Sequence, residues 1–163
     1  MTICKSCENP TVGKSSYCST HRAEAREAWK AKIADESVAR DARKAGHAKL
    51  WAKASEAAGQ AWYNATVRTM VVSDGTQEWV VPEGMCGFAS LIVKPANSSF
   101  ALWLKANVRT NKHYGGGLAV GSSTLVADDL MSQSYERKVA AIRAAVSVLR
   151  AEGINCGMWD RLD

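Results

Sequence analysis

Charged and alanine residues dominate residues 22–63, where large apolar side chains are sparse. Proline is absent there, and Ala, Glu, Lys and Arg are strong helix formers, so this segment is predicted to be a helix. Its apolar positions form two patches at helical spacing, Trp29 with Ile33, and Trp51 with Ala54, Ala58 and Trp62. Because so polar a helix cannot be held by a core of its own, we expect it either to lie across the domain or a partner, or to break near Gly46 into two helices.

Residues 66–163 contain β-branched and apolar runs separated by turn signals. Strands at 67–72 and Glu78–Val81 flank Asp74-Gly75, a dipeptide that supplies the left-handed residues of a tight hairpin. Further strands are predicted at 88–93, 118–120 and 154–159, with helices at 100–107 and 135–152 between them. The predicted order is two strands and then β-α-β-α-β, an α+β fold in which helices pack on a small sheet.

Both predicted helices of this domain have boundary signals in the sequence. Asn97 or Ser98 is placed to cap the first helix, and Ser134 is placed to cap the second. Gly153 follows the second helix as a C-terminal stop.

The N-terminal residues contain the most specific motif in the chain. Cys4 and Cys7 are separated by two residues, ten residues follow, and Cys18 and His21 are again separated by two. Each pair can direct two ligand atoms at one ion, and zinc prefers a tetrahedron of sulfur and nitrogen ligands in structural sites. The motif therefore predicts one structural zinc ion. Because all four positions are filled, catalysis by this zinc is not expected.

Composition and pattern divide the chain into three parts: a zinc knuckle at 1–21, a helical arm at 22–63 and an α+β domain at 66–163. The knuckle is rich in Cys, Ser, Gly and Lys and has too few apolar residues to build a core. Metal binding should therefore supply much of its folding free energy, on the order of 10 kcal/mol.

The knuckle resembles a known class of sequence. Cys-x2-Cys followed by Tyr17-Cys18-Ser19-Thr20-His21-Arg22 is similar to the zinc knuckle that opens many small bacteriophage proteins and some phage homing-type nucleases. The resemblance implies support for nucleic-acid binding, but the His-Asn-His catalytic segment of those nucleases is not recognisable downstream, so nuclease activity is not carried over. A further resemblance to small uncharacterised tailed-phage proteins covers Cys86-Gly87-Phe88-Ala89, Lys94-Pro95-Ala96-Asn97-Ser98, Phe100, Trp103-Leu104-Lys105, Tyr114-Gly115-Gly116-Gly117 and Gln133-Ser134.

Composition limits the cellular setting. The 163 residues include 47% hydrophobic and 23% charged residues, which suits a globular protein, and the formal net charge is +5. The chain has no run of 18 apolar residues, so no membrane span or membrane partner is expected. Met1-Thr2-Ile3-Cys4-Lys5 lacks an apolar signal segment, so we expect a cytoplasmic protein, in the host cell if it is phage-encoded.

Positive charge is concentrated near the knuckle. Residues 1–65 hold 11 Lys and Arg against 7 Asp and Glu. Arg22, Arg26 and Lys30 recur every four residues and share one helix face, and Arg40 and Arg43 belong to a second basic patch. We predict that these five side chains contact phosphates. The alternative is a solvated helix face with ion pairs such as Glu36–Arg40.

A second basic region falls between Glu83 and Asp128, where no acidic residue occurs. Lys105, Arg109 and Lys112 lie there beside Tyr114 and three consecutive glycines, which allow a backbone to approach a ligand closely. We predict a second nucleic-acid contact at these four residues, with Tyr114 stacking on a base. The alternative is a hairpin loop with incidental positive charge.

Catalytic groups are few. Asp128-Asp129 with His113, or Cys86 with His113, are the combinations that offer acid–base or nucleophilic chemistry. Adjacent aspartates point in different directions on most backbones, so we favour a protein without catalysis of its own.

Three functions remain open. The leading hypothesis is a phage-type accessory protein that associates with nucleic acid or with an enzyme that processes it. The second is a protein-binding inhibitor of a host factor, with the helical arm as docking element and a route to oligomers. The third is a small-nucleotide binder or sequestering protein that uses the loop at 105–117.

Overall fold

The computed structural model describes residues 3–11, 15–126 and 132–163. It contains both helix and sheet, with a long helix near the N-terminus. The chain divides into two compact units, Met1–Ala45 and Gly46–Asp163, so the boundary falls within that long helix.

Helix α1 spans Ser19–Tyr63. It begins three residues before the predicted start, because Cys18 ends the knuckle and its carbonyl already accepts the N–H of Arg22 at 2.9 Å. The helix is not broken at Gly46, so the predicted alternative of two helices is wrong.

A two-stranded hairpin comes next, with β1 at Met70–Ser73 and β2 at Glu78–Val81. Its turn follows the expected chemistry, since Gly75 has φ +89° and the Asp74 carboxylate accepts the backbone N–H groups of Thr76 and Gln77, both at 2.8 Å. The hydrogen bond from the Thr76 side chain, with those from these backbone groups, lowers the pKa of Asp74. Strand β1 is shorter than the predicted strand at 67–72.

Four strands form the main sheet: β3 at Gly87–Val93, β4 at Asn111–Lys112, β5 at Leu118–Gly121 and β6 at Cys156–Leu162. Helix α2 spans Ser99–Asn107, α3 spans Ser122–Leu125 and α4 spans Tyr135–Ala151. The spatial order is β4-β5-β3-β6, and all neighbouring strands are antiparallel. Leaving aside the single turn α3, the chain order from β3 is β-α-β-β-α-β, the split β-α-β topology. The predicted β-α-β-α-β order lacked β4, whose two residues are too few to show a period.

The core lies on one face of this sheet. Alternation along β3 turns Ala89, Leu91 and Val93 inward, where they are buried against residues of α2 and α4. The C-terminal part of α1 joins the same core through Ala54, Ala58 and Trp62, as the second apolar patch predicts. The other patch, Trp29 with Ile33, is exposed.

The helix caps differ from each other. Ser98 caps α2, because its hydroxyl accepts the N–H of Ala101 at 3.3 Å. Ser134 stands at the cap position of α4 but makes no capping bond, so that prediction is wrong in its chemistry. The Ser134 hydroxyl instead lies 3.5 Å from a Glu136 carboxylate oxygen. Within the described residues, no helix has the length and apolar character that crossing a membrane requires.

Two leucines of α2 provide a test of this core. Leu104 is fully buried and Leu102 is 52% exposed on the same helix. We expect Leu104→Ala to lower the free energy of unfolding by about 2–5 kcal/mol, because it leaves a cavity. Leu102→Ala should change it by less than about 1 kcal/mol. Urea denaturation measures both, and equal losses would contradict the assigned face of α2.

Candidate metal centre

Two short segments bring the cysteines together. Residues on either side of Cys4 and Cys7 close a loop, in which Ile3 and Pro10 form an antiparallel bridge and the Cys4 N–H donates to the Asn9 carbonyl at 3.0 Å. A second bond, from the Lys5 N–H to the Ser16 carbonyl at 2.9 Å, ties this loop to the segment that carries Cys18. Backbone bonds thus hold the two halves of the motif side by side.

The other two side chains of the motif lie at the start of α1. Cys18 is the residue before the helix, and His21 lies in its first turn. Residues three apart at a helix start project to the same side, and the Cys18 sulfur also accepts the N–H of His21. A sulfur therefore takes the capping position that a Ser or Asp side chain usually fills.

The four ligand atoms converge on one point. The sulfur and ring nitrogen atoms of Cys4, Cys7, Cys18 and His21 all lie within 4.8 Å of one another. Cys7 Sγ is 3.7 Å from Cys18 Sγ, while His21 Nδ1 is 3.6 Å from Cys4 Sγ and 3.3 Å from Cys18 Sγ. Around a tetrahedral zinc, two sulfurs lie ~3.8 Å apart and a sulfur and a nitrogen ~3.6 Å apart. The separations fit a Cys3His site for one divalent ion.

These separations also exclude a disulfide. A sulfur–sulfur bond is about 2.05 Å long. The 3.7 Å between Cys7 and Cys18 is far longer, and all five cysteines of the chain are free thiols. The cluster is thus not a covalent cross-link, and its four side chains are available to hold a metal ion.

The electrostatics favour ionised ligands at two of the cysteines. Burial acts to raise the pKa of Cys4, but hydrogen bonds from nearby backbone groups, Cys18 first, and from the His21 ring outweigh it and lower the pKa to about 6. The backbone N–H of His21 lowers the pKa of Cys18. Hydrogen bonds with the sulfur of Cys4, and then with that of Cys18, raise the pKa of His21. At Cys7 the Asn9 backbone acts to lower the pKa, but burial and the adjacent sulfurs raise it. A divalent cation would offset the sulfur–sulfur repulsion that contributes to the raised pKa of Cys7.

The basic residues predicted on α1 are all exposed. Arg22, Arg26, Lys30, Arg40 and Arg43 lie in the first unit, on the helix that begins at the metal centre. One helix therefore carries the whole set. Their contact with phosphate stays a prediction.

The second predicted set is not brought together in one place. Lys105 lies on α2, on the core side of the sheet, and donates to the Ala96 carbonyl at 2.9 Å. Arg109 and Lys112 are exposed near β4. Tyr114 lies on the opposite side of the sheet from α2, where its hydroxyl accepts the indole N–H of Trp159 at 3.1 Å. Lys105 and Tyr114 therefore do not share a surface.

The catalytic combinations gain no support. Asp128 and Asp129 lie outside the described residues. Cys86, just before β3, donates to Gln133 at 3.2 Å. His113 packs beside Trp159 and next to Ile92, near the other end of β3. From Gly87 to Ile92 the strand advances five residues, which is ~17 Å. Cys86 and His113 are therefore too far apart to form a thiol–imidazole pair.

Compared with known proteins, the chain matches no family model, no curated protein and no solved structure. The resemblance of its Cys-x2-Cys segment to bacteriophage zinc knuckles stays a prediction.

Metal content tests the site directly. We expect Cys7→Ser to lower bound zinc from one ion per chain toward none, because a hydroxyl is a poor zinc ligand where a thiolate is required. Cys86→Ser is the matched control, since the Cys86 thiol bonds to Gln133 outside the cluster. Elemental analysis of purified protein measures both variants. Full zinc in Cys7→Ser, or equal loss in Cys86→Ser, would rule out the assigned ligands.

Proposed function

We propose that this chain is a zinc-binding accessory protein of the phage type. It binds nucleic acid through the part of α1 that belongs to the first unit, up to Ala45. One zinc ion at Cys4, Cys7, Cys18 and His21 holds the start of that helix. The observation that supports the proposal is a basic stripe on α1, defined here as Arg22, Arg26, Lys30, Arg40, Arg43 and Lys44. The bound nucleic acid is free, or it is the substrate of an enzyme that the protein assists, and the protein needs no catalysis of its own.

Helical geometry aligns the stripe. At ~100° per residue, Arg22 and Arg40 project in the same direction because they are five full turns apart. Arg26 lies ~40° and Lys30 ~80° to one side, and Arg43 lies ~60° to the other. Of the acidic residues of α1 in this unit, which are Glu24, Glu27, Asp35, Glu36 and Asp41, only Glu36 projects within that sector.

The existing ion pairs leave the stripe available. Lys30 pairs with Glu27 at 2.8 Å and Lys44 pairs with Asp41 at 3.3 Å, but all four side chains are exposed. Exposed pairs of this kind contribute little, so a phosphate can replace the carboxylate. In the described part of the chain, the arginines of the stripe have no ion pair.

The length of the stripe suits a duplex. From Arg22 to Lys44 the helix rises ~33 Å, and one turn of B-form DNA is ~34 Å long. Six cations along this length can follow the phosphates on either side of a groove. Binding of this kind is driven by counterion release and is sensitive to salt.

Salt dependence tests the stripe. We expect Arg40→Ala/Arg43→Ala to weaken duplex binding and to reduce the slope of log K against log salt by about 2, roughly one per lost phosphate contact. Lys49→Ala/Lys53→Ala is the control, because it removes the same charge from α1 outside the stripe. Fluorescence anisotropy from 50 to 300 mM salt measures both. Binding that does not change over this range argues against the proposal.

A protein partner is the second candidate, and one observation favours it. Trp29 is 63% exposed, and Ile33, four residues later, is also exposed on the same side of α1. Exposed apolar anchors at helical spacing are how a helix docks into the groove of a partner. This patch lies within the sector of the basic stripe, so a host factor, a second copy of the chain and nucleic acid would compete for one surface. Binding of a small nucleotide at 105–117 stays a prediction.

Paired variants separate the two candidates. If α1 docks on a protein, Trp29→Ala/Ile33→Ala should abolish capture of that partner from a nuclease-treated bacterial lysate. Arg40→Ala/Arg43→Ala should then retain most of the capture. If nucleic acid is the ligand, nuclease treatment alone should remove the captured proteins. Sedimentation of the purified chain reports whether the patch joins two copies instead.

A further inference from the structure

We infer that the sheet face turned away from the helices is a stacking platform for the bases of single-stranded nucleic acid. This inference rests on the proposed function. It adds a second binding surface, which recognises the bases of the nucleic acid. The open face is defined here as Phe88, Ser90, Gly121, Trp159 and Arg161 with Tyr114 from the β4–β5 loop.

Strand register places these residues on one side. Leu91 and Val93 of β3 are in the core, so alternation turns Phe88 and Ser90 the other way. Residues directly opposite each other in neighbouring strands share a face, and Phe88 pairs with Arg161. Ser90 pairs with Trp159 on one side and with Gly121 on the other.

Three aromatic side chains are displayed on this face. Phe88 is 46% exposed and Tyr114 is 87% exposed. The Trp159 indole N–H donates to the Tyr114 hydroxyl at 3.1 Å, and the two rings meet edge to face with centroids 6.4 Å apart. Tyr114 is thus held in place by its hydroxyl while its ring stays open to solvent. Base–aromatic stacking needs ring faces that are fixed and accessible in this way.

Two cationic side chains lie beside the Phe88 ring. The Arg161 guanidinium lies 5.5 Å and the Lys138 ammonium 5.7 Å from the centre of the Phe88 ring. Asp160 faces the helices and accepts the hydroxyl of Tyr135, whereas Asp163, just after β6, lines the same pocket as Phe88 and Lys138. A base stacked on Phe88 would bring its phosphate to two cations.

The residues at the centre of the open face have small side chains. Ser90 lies between Trp159 and Gly121, and among the described residues a methyl group added at Gly121 would meet only Ser123 Oγ, at 3.9 Å. Phe88 and Trp159 are diagonal neighbours, a relation that separates side chains by roughly 7–8 Å. Two successive unstacked bases can occupy such positions. A duplex cannot use them, because its bases are stacked on each other and only its phosphates are outside.

The test compares Phe88→Ala with Trp79→Ala. Trp79 on the β1–β2 hairpin is 47% exposed, so the control removes a comparably exposed aromatic side chain away from the platform. The probes are an oligothymidine of about twelve nucleotides, the same strand with abasic sites, and a duplex. We expect Phe88→Ala to weaken oligothymidine binding about 5- to 100-fold and duplex binding less than about 2-fold. Trp79→Ala should behave as wild type, and the abasic strand should bind to wild type at least as weakly as oligothymidine binds to Phe88→Ala, because it removes stacking on all three rings.

Thermal unfolding of each variant checks that the fold is kept. Phe88→Leu keeps an apolar side chain but removes the ring, so it should also lose oligothymidine binding. The platform is overturned if both Phe88 variants bind oligothymidine with the affinity of wild type. It is also overturned if wild type binds the abasic strand and oligothymidine with equal affinity. The proposed function survives that result if duplex binding still depends on Arg40 and Arg43. If oligothymidine binding depends on Phe88 but no duplex binding depends on the stripe, the platform stands and the arm proposal fails. If wild type binds no probe, both fail.

Discussion

The convergence of four ligand atoms, which could hold one divalent ion, is the constraint on which the described N-terminal residues depend. Among the described residues up to His21, only Cys4 and Cys18 are buried, so the ligands themselves are the core of this segment. Burying one apolar side chain contributes about 1.5–3 kcal/mol, whereas a structural zinc in a small peptide contributes about 10–16 kcal/mol. Nothing else in such a short and polar segment has a comparable magnitude.

The same cluster lies where α1 begins, because His21 is in the first turn of the helix and Cys18 directly precedes it. No acidic residue stands in the first turn of this helix, and the backbone N–H of His21 lowers the pKa of Cys18, which favours a thiolate at the helix N-terminus. A ligand that is also a cap couples metal binding to helix formation. The basic stripe starts at Arg22, the residue after the last ligand, and its first members are therefore held close to a fixed point.

Local signals in the sequence were sufficient for much of this structure. The cysteine spacing, the Asp74-Gly75 turn and the Ser98 cap act over two to 17 residues, and each appears where the pattern places it. The platform could not be found in this way, because Phe88 and Arg161 become neighbours only through the register of two distant strands. The run at Gly87–Val93 is also nearly all apolar, which hides its alternation. Lys105 and Tyr114 are close in sequence, yet a helix and a loop carry them to opposite sides of one sheet.

The two ends of α1 are stabilised by different chemistry. Its first turn contributes His21 to the Cys3His cluster, and its last turns are buried in the sheet domain through Ala58 and Trp62. Residues 38–46 between these ends are all exposed. The amides of that middle stretch are protected by helical hydrogen bonds alone, so they can open without unfolding either end. A chelator would act on one end only, and heat would act on both. A single melting temperature therefore does not describe this chain, whose amide exchange should fall into separate classes along one uninterrupted helix.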